Sequence, residues 1–426
     1  MNSSLFIDTS QLRVGMYVQL DLGWMRHPFP VSRFRIASTD QIATIRELGL
    51  TEVRYFPQKS DPEVYALDAL PGNAPDTLDA DSVADAVAHI SAGVDSVAAQ
   101  NRAHLQFQNR VLAACNQRFG SATRQYQAVE RTVAVQPGLA RTQCEAVVSD
   151  CLRELLENGD SVIRLLSEGV GESSALHPVN VMVISLLLGK ALGMKSLDLH
   201  ELGVAALLHD LGKLKVPTTG FMPAERQRYE SHVGQSVAFA QLMGLSDAVL
   251  TAIAQHHEMV DGSGFPLHLM GEDMGRPGQI LALVNHYDRM CNPAAGVDAL
   301  TPHEALSVMF AQLKSRFDPV VLGAFIRMMG VYPPGSVVQL VNDRYAIVVS
   351  VNSSRPLRPK VIVHDSRVPK DEAPVLDLEA MPELGIRRSL KPAQLPRDAL
   401  DYLSPRKRIC YFFERAVDPG TDEAQA

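Results

Sequence analysis

The feature that most constrains this chain is a set of histidines and aspartates placed in otherwise apolar stretches: His177, the pair His209-Asp210, His232, the pair His256-His257, and Asp288. The two pairs close apolar runs, "AALLHDLGK" and "LTAIAQHHE". Ionisable groups on apolar helix faces cost free energy unless they are paired or ligated. Imidazole with carboxylate suits divalent metals of hard to borderline character, such as Fe, Mn or Zn. The fold therefore has to gather these residues around a shared partner. In a helix starting near Pro277, Ile280 and Val284 mark the inward stripe and Asp288 follows on the same face. Its position near the helix C-terminus, where the dipole disfavours a carboxylate, calls for a cation. His257 follows Leu250 and Ile253 in the same manner. His177 and His232, taken singly, are ordinary, whereas adjacent histidines are harder to satisfy with backbone carbonyls. Asp210, with two oxygens, can bridge two ions. His27, His89, His104, His200, His268, His286, His303 and His364 lie in polar, loop or unpatterned contexts and carry no chemistry in this reading.

The 426 residues allow two or three domains. A net charge of -8 argues against a nucleic-acid polymer as partner, since a basic stripe is the usual footprint. A small anionic substrate stays open, because a bound ion dominates its local field. The N-terminus lacks a basic and apolar leader pattern. The longest apolar run, "VMVISLLLGKALG", is too short for a membrane span. The five cysteines form no CxxC and read as reduced structural thiols of a cytoplasmic protein.

Pattern and punctuation divide the chain. Residues 1–75 read as a small α+β domain, with strands in "MYVQLDL", "SRFRIAS" and "TEVRYFP" around a helix capped by Ser38, Thr39 or Asp40 and ending near Gly49. Residues 76–140 read as a helical linker behind the turn-rich "LPGNAPDTLDADS", within a stretch of one or two long helices from Val83 to Leu166. Residues 141–330 read as an all-helical metal-binding domain, with Pro178, Ser246 and Pro277 at helix starts and Gly212 closing "LDLHELGVAALLHDLG". Residues 331–415 read as a small C-terminal β unit built on "VVQLV", "RYAIVVSV" and "KVIVHD", and 416–426 as a disordered tail. The class is mainly α. The "DGSGFP" after the histidine pair is a tight loop whose backbone could approach a ligand.

In that order, "HDLGK", His232, "HHEMVDGSGFP" and Asp288 resemble the HD-GYP domain, a bacterial branch of the HD phosphohydrolases. The likeness runs from His177 to "YPPGSVVQLV", and "LRVGMYVQLDLGWMRHPFPVSRFRI" is similar to an uncharacterised domain often found ahead of it. The resemblance implies a metal-dependent phosphodiesterase that hydrolyses cyclic di-GMP to the linear dinucleotide or GMP. It implies two divalent ions, Fe or Mn. His177, His209, Asp210 and Asp288 would hold one, and Asp210 would bridge to a second held by His232, His256 and His257. Lys213 would contact a phosphate oxygen, and Gly262, Gly264, Phe265 and Pro266 would line the substrate loop. Asp210 and Lys213 would form the catalytic pair.

Several positions depart from the family pattern. Phe265 stands for the signature tyrosine. Ser173, next to Glu172, stands where some members carry a third-metal glutamate. "RMCNPAAGVD" and Gln279 replace an arginine-rich run and a common arginine. These losses keep two alternatives open: a weak or inactive interaction module, or a phosphohydrolase of another nucleotide. A protein partner for the N-terminal domain and a homodimer are further expectations.

Overall fold

The computed structural model describes residues 5–21, 33–61, 80–157, 160–171, 173–216, 223–294, 296–352, 358–381 and 384–415, with only the helix backbone over 80–101. Residues 70–79 of the turn-rich stretch "LPGNAPDTLDADS", the tail 416–426 and Glu172 lie outside the described residues. The chain divides into two compact units, 1–109 with 365–374, and 110–364 with 375–426.

In the first unit, β1 (Leu5–Asp8), β2 (Tyr17–Gln19), β3 (Arg33–Arg35) and β4 (Glu52–Tyr55) form an antiparallel sheet in the order β1-β4-β2-β3. Val18, Phe34, Val53 and Tyr55 are buried, as are Ile42 and Ile45 of α1 (Thr39–Glu47). Of the three candidate caps, Ser38 serves: its hydroxyl accepts from the Gln41 N–H. Gly49, at φ +68, closes the helix.

The second unit is mainly helical. It takes the end of α2 (Ala80–Thr132), then α3 (Pro137–Leu156), α4 (Leu176–Ala191), α5 (Ser196–Leu208), α6 (Pro223–Glu230), α7 (His232–Leu242), α8 (Asp247–Ala254), α9 (Arg276–Cys291), α10 (Pro302–Ala311) and α11 (Pro319–Met329). Helix α4 packs on α5, α9 and the final strand. By length and composition Ser173–Ala191 could cross a membrane, but 72% of that window is buried, so α4 is the axis of the core. All five cysteines are buried and unpaired. Burial pushes the Cys115 and Cys151 thiols up to about 12, which leaves them inert.

The structure changes two expectations. The helical stretch ends at Leu156, and Ser161–Leu165 is instead a strand, β5. "SVIRL" is buried throughout, and a short continuous apolar run does not distinguish strand from helix. Nor do the strands after residue 330 stand apart from the helical domain, which is itself not all-helical. β6 (Val337–Leu340), β7 (Tyr345–Asn352), β8 (Lys360–Val363), β9 (Val375–Asp377), β10 (Ile386–Leu390) and β11 (Tyr411–Arg415) join β5 in a seven-stranded sheet. The path runs β10-β6-β7-β5-β11, with β8 and β9 branching from β7. Arg164 of β5 donates twice to the Glu414 carboxylate of β11, each bond 2.7 Å, and the pair is almost wholly buried. Removing one partner of such a pair costs about 3–5 kcal/mol. Side chains of this sheet and of the helices share one apolar core.

Candidate metal centre

Helix ends deliver the cluster. α5 stops at Leu208, one residue before His209, and Leu211–Lys215 continues as a 3-10 turn. The helix thus ends earlier than Gly212, and the change of winding turns His209 and Asp210 inward together. His177 lies in the first turn of α4, His232 begins α7, His256 and His257 follow α8, and Asp288 sits in the last turn of α9. His209, Asp210, His232, His256, His257 and Asp288 are all buried.

Four of the imidazoles are oriented from behind. Nδ1 of His209 lies 2.7 Å from the Ala206 carbonyl, Nδ1 of His256 lies 2.6 Å from that of Ile253, and Nδ1 of His232 meets that of Tyr229. A carbonyl only accepts, so each Nδ1 carries the proton and each Nε2 offers a lone pair inward. His177 is held alike, its Nδ1 2.5 Å from Asp288 Oδ2. The Nε2 atoms of His177 and His209 then face each other at 3.2 Å, as do those of His232 and His256. Facing lone pairs repel unless a cation or proton lies between them.

Asp210 sits at the centre, with one oxygen towards each pair. Oδ2 lies 3.3 Å from His177 Nε2 and 3.5 Å from His209 Nε2. Oδ1 lies 3.3 Å from His232 Nε2 and 3.7 Å from His256 Nε2. Two groups of potential ligand atoms result, His177, His209 and Asp210, and Asp210, His232, His256 and His257. Asp210 Oδ1 and His257 Nε2 are buried without a hydrogen-bond partner. These orphaned acceptors and nitrogen–oxygen donor sets fit divalent-metal ligation.

The protonation states agree. Burial lowers His209 to about 3 and holds His256 and His257 well below the ordinary histidine value, which keeps their imidazoles neutral. Burial alone would raise the Asp210 carboxyl, but Lys213, His209 and Arg289 hold it well below the usual range. Burial also works against a charged His177, yet hydrogen bonds to Asp210 and Asp288 raise it above the ordinary histidine value.

Not every expected residue reaches the cluster in the same way. Asp288 falls outside both ligand groups, because its carboxylate pairs with the far nitrogen of His177. That is the carboxylate–histidine arrangement that fixes a ligand's tautomer. Lys213 Nζ contacts Asp210 Oδ2, and burial lowers it to about 8. Phe265 stacks on His257, ring centroids 4.4 Å apart and 22° between planes. Pro266 is exposed beside it. Gly264 is sterically required: a Cβ there would lie 2.3 Å from the Met259 nitrogen and 2.4 Å from the Glu258 Cα. Gly262, at φ +74, faces Met270 and not the cluster, and serves the turn. His286 packs on Phe317, apart from the cluster.

Sequence reasoning missed four participants. Arg289 donates to Asp210 Oδ2 at 3.0 Å and from Nε to Asn285 Oδ1 at 2.9 Å. Its guanidinium lies 6.0 Å from the Tyr229 ring centre. The Tyr229 ring in turn lies 4.8 Å from His232 and 6.4 Å from Phe265. Asn180 and Asn292 donate to Asp288. The adjacency of Arg289 to Asp288 was the one available signal.

Residues 151–321 match the HD domain family, and residues 4–144 match a domain of unknown function, DUF3391. The chain is 26% identical over 390 residues to a cyclic di-GMP phosphodiesterase of Pseudomonas aeruginosa, which covers 87% of this chain and 88% of that one. It is 23% identical over 192 residues to the cyclic di-GMP phosphodiesterase PdeB of Borreliella burgdorferi, 44% of this chain and 51% of the relative, so it spans about half of that protein. Among solved structures, an HDG"Y"P protein from Bdellovibrio bacteriovorus aligns at 15% identity with a TM-score of 0.41, over 76% of this chain and 98% of that one. The match to the HD domain thus spans the helices that carry the histidine–aspartate cluster, and the match to DUF3391 precedes it in the chain.

Proposed function

We propose that this protein is a metal-dependent phosphodiesterase that hydrolyses cyclic di-GMP to the linear dinucleotide or GMP. The observation that carries the reading is the Asp210 carboxylate, set with one oxygen towards His177 and His209 and the other towards His232 and His256. His257 completes the second group. Fe or Mn suits these donors. When bound, such a pair lowers the pKa of a water and offsets charge developing on a phosphodiester. The protein's own residues orient and neutralise. Lys213 and Arg289 both converge on Asp210 Oδ2. With that oxygen engaged by an ion, both cations would be available to phosphate oxygens. Arg289 thus answers the arginine run missing after Asp288. Phe265 and Tyr229 supply an aromatic wall against which a base can stack. The N-terminal unit is, in this reading, the regulatory or partner-binding part.

The test is hydrolysis of cyclic di-GMP by the purified protein, reconstituted separately with Mn and Fe, against a panel of other cyclic dinucleotides. Turnover of cyclic di-GMP supports the reading. A metal-loaded protein inert on it but active on another dinucleotide makes this a phosphohydrolase of that nucleotide. A protein inert on all of them makes it an interaction module. Lys213→Ala and Arg289→Gln should each retain metal and lower phosphodiester hydrolysis roughly tenfold or more, since a charge-assisted contact is worth about 1.5–3 kcal/mol. Loss of metal in either variant, read by elemental analysis, would assign the side chain to holding Asp210 instead.

A further inference from the structure

Asp288 is held by more than its own helix. Its Oδ1 accepts from Asn180 Nδ2 at 2.5 Å and from Asn292 Nδ2 at 2.9 Å, while Oδ2 meets His177. The same two carboxamides grip the chain at the start of β11. Asn292 Oδ1 accepts from the Ile409 N–H at 2.8 Å, and its Nδ2 donates to the Ile409 carbonyl at 2.8 Å. Asn180 Oδ1 accepts from the Tyr411 N–H at 2.8 Å, and its Nδ2 reaches the Ile409 carbonyl at 3.1 Å. A carboxamide nitrogen has two hydrogens, so each asparagine spends one on Asp288 and one on the strand. Asn180 and Asp288 are each only 1% exposed. Tyr411 is anchored further, its hydroxyl 3.1 Å from that of Tyr287 and 3.0 Å from the Pro334 carbonyl. Carboxamides suit this task because they orient a carboxylate without neutralising it, leaving its full charge for His177.

We propose that Asn180 and Asn292 are positioning residues that couple the segment Ile409–Tyr411 through Asp288 to His177, so that the C-terminal strand is a working part of the metal site. That segment lies nearly ninety residues beyond the end of the matched HD segment at residue 321. Asn292 falls in the very stretch where the family-like arginines are missing. The proposal rests on the metal-site reading and on no particular substrate.

The test uses the full-length protein, stripped of metal and titrated with Mn²⁺ by calorimetry and equilibrium dialysis. Asn292→Ala should weaken one of two binding steps roughly tenfold or more, as loss of a ligand's outer partner typically does. The step served by His232, His256 and His257 should stay within about twofold. The Asn180→Ala/Asn292→Ala double variant should weaken the same step further. In an Asp288→Asn background, Asn292→Ala should add little, because both act through one contact. Asn292→Gln, which keeps a carboxamide, should recover part of the affinity and serves as the readout if the alanine variant does not fold. Unchanged Mn²⁺ affinity in the double variant, or an undiminished loss in the Asp288→Asn background, would overturn the proposal. Since no nucleotide is used, a wild type inert on cyclic di-GMP leaves the proposal standing. A wild type that binds no Mn²⁺ sinks the site reading itself.

Discussion

Asp210→Ala should remove both ions and lower phosphodiester hydrolysis by at least about a thousandfold, the upper end of what one lost charge-stabilising group costs. The two oxygens of Asp210 are what join the His177–His209 side to the His232–His256–His257 side. With the carboxylate gone, each histidine group loses its anion, and two cations, Lys213 and Arg289, are left facing the site without a partner on Asp210. They then repel an incoming metal. Asp210→Asn keeps the shape and removes the charge, so it should also lose most metal. Elemental analysis with circular dichroism on both variants checks this. Helical spectra without metal support the account, and two ions retained in Asp210→Ala refute it.

The second large effect should come from Gly212→Ala. A Cβ at Gly212 would lie 2.1 Å from the His232 carbonyl oxygen and 2.6 Å from the Ser236 nitrogen. Both are backbone atoms of α7, so the clash cannot be relieved by turning a side chain. The Gly212 N–H also donates to Ser236 Oγ at 2.8 Å, and that bond would break as α7 moves away. Overpacking of this kind costs about 1–3 kcal/mol or more. The displaced helix begins with His232, so metal on that side should be lost with stability. Gly234 is the control, since it lies in the same helix and a Cβ added there would meet nothing within 4 Å. Gly234→Ala should leave metal binding intact and raise stability by up to about 1 kcal/mol. Thermal melts and metal content of the two variants decide the matter. Equal behaviour would mean that α7 and the Gly212 turn are not packed as described.

What the sequence made legible was the part of the site written as spacing. His257 and Asp288 follow apolar stripes that survive folding because helices keep their period. The pairs His209-Asp210 and His256-His257 announce themselves by lying at the ends of buried runs. The rest depends on contacts between distant segments. Arg289 and Tyr229 acquire roles only because α6 and α9 meet over Asp210. Asn180 and Asn292 look like ordinary polar residues until the segment Ile409–Tyr411 is brought against them. β5 was hidden for another reason: a strand buried on both faces has no alternation to betray it. The expectation that Asp288 is itself a ligand rests on its buried face, its place at the helix C-terminus and the family likeness; its carboxylate here contacts His177, Asn180 and Asn292.

The central claim is that one carboxylate organises two ions, and anomalous diffraction from crystals grown with Mn²⁺ tests it most directly. The account predicts two peaks flanking Asp210. One should lie by Oδ2 with His177 and His209, the other by Oδ1 with His232, His256 and His257. A single peak away from Asp210, or none in crystals whose protein was shown to be folded, would contradict it.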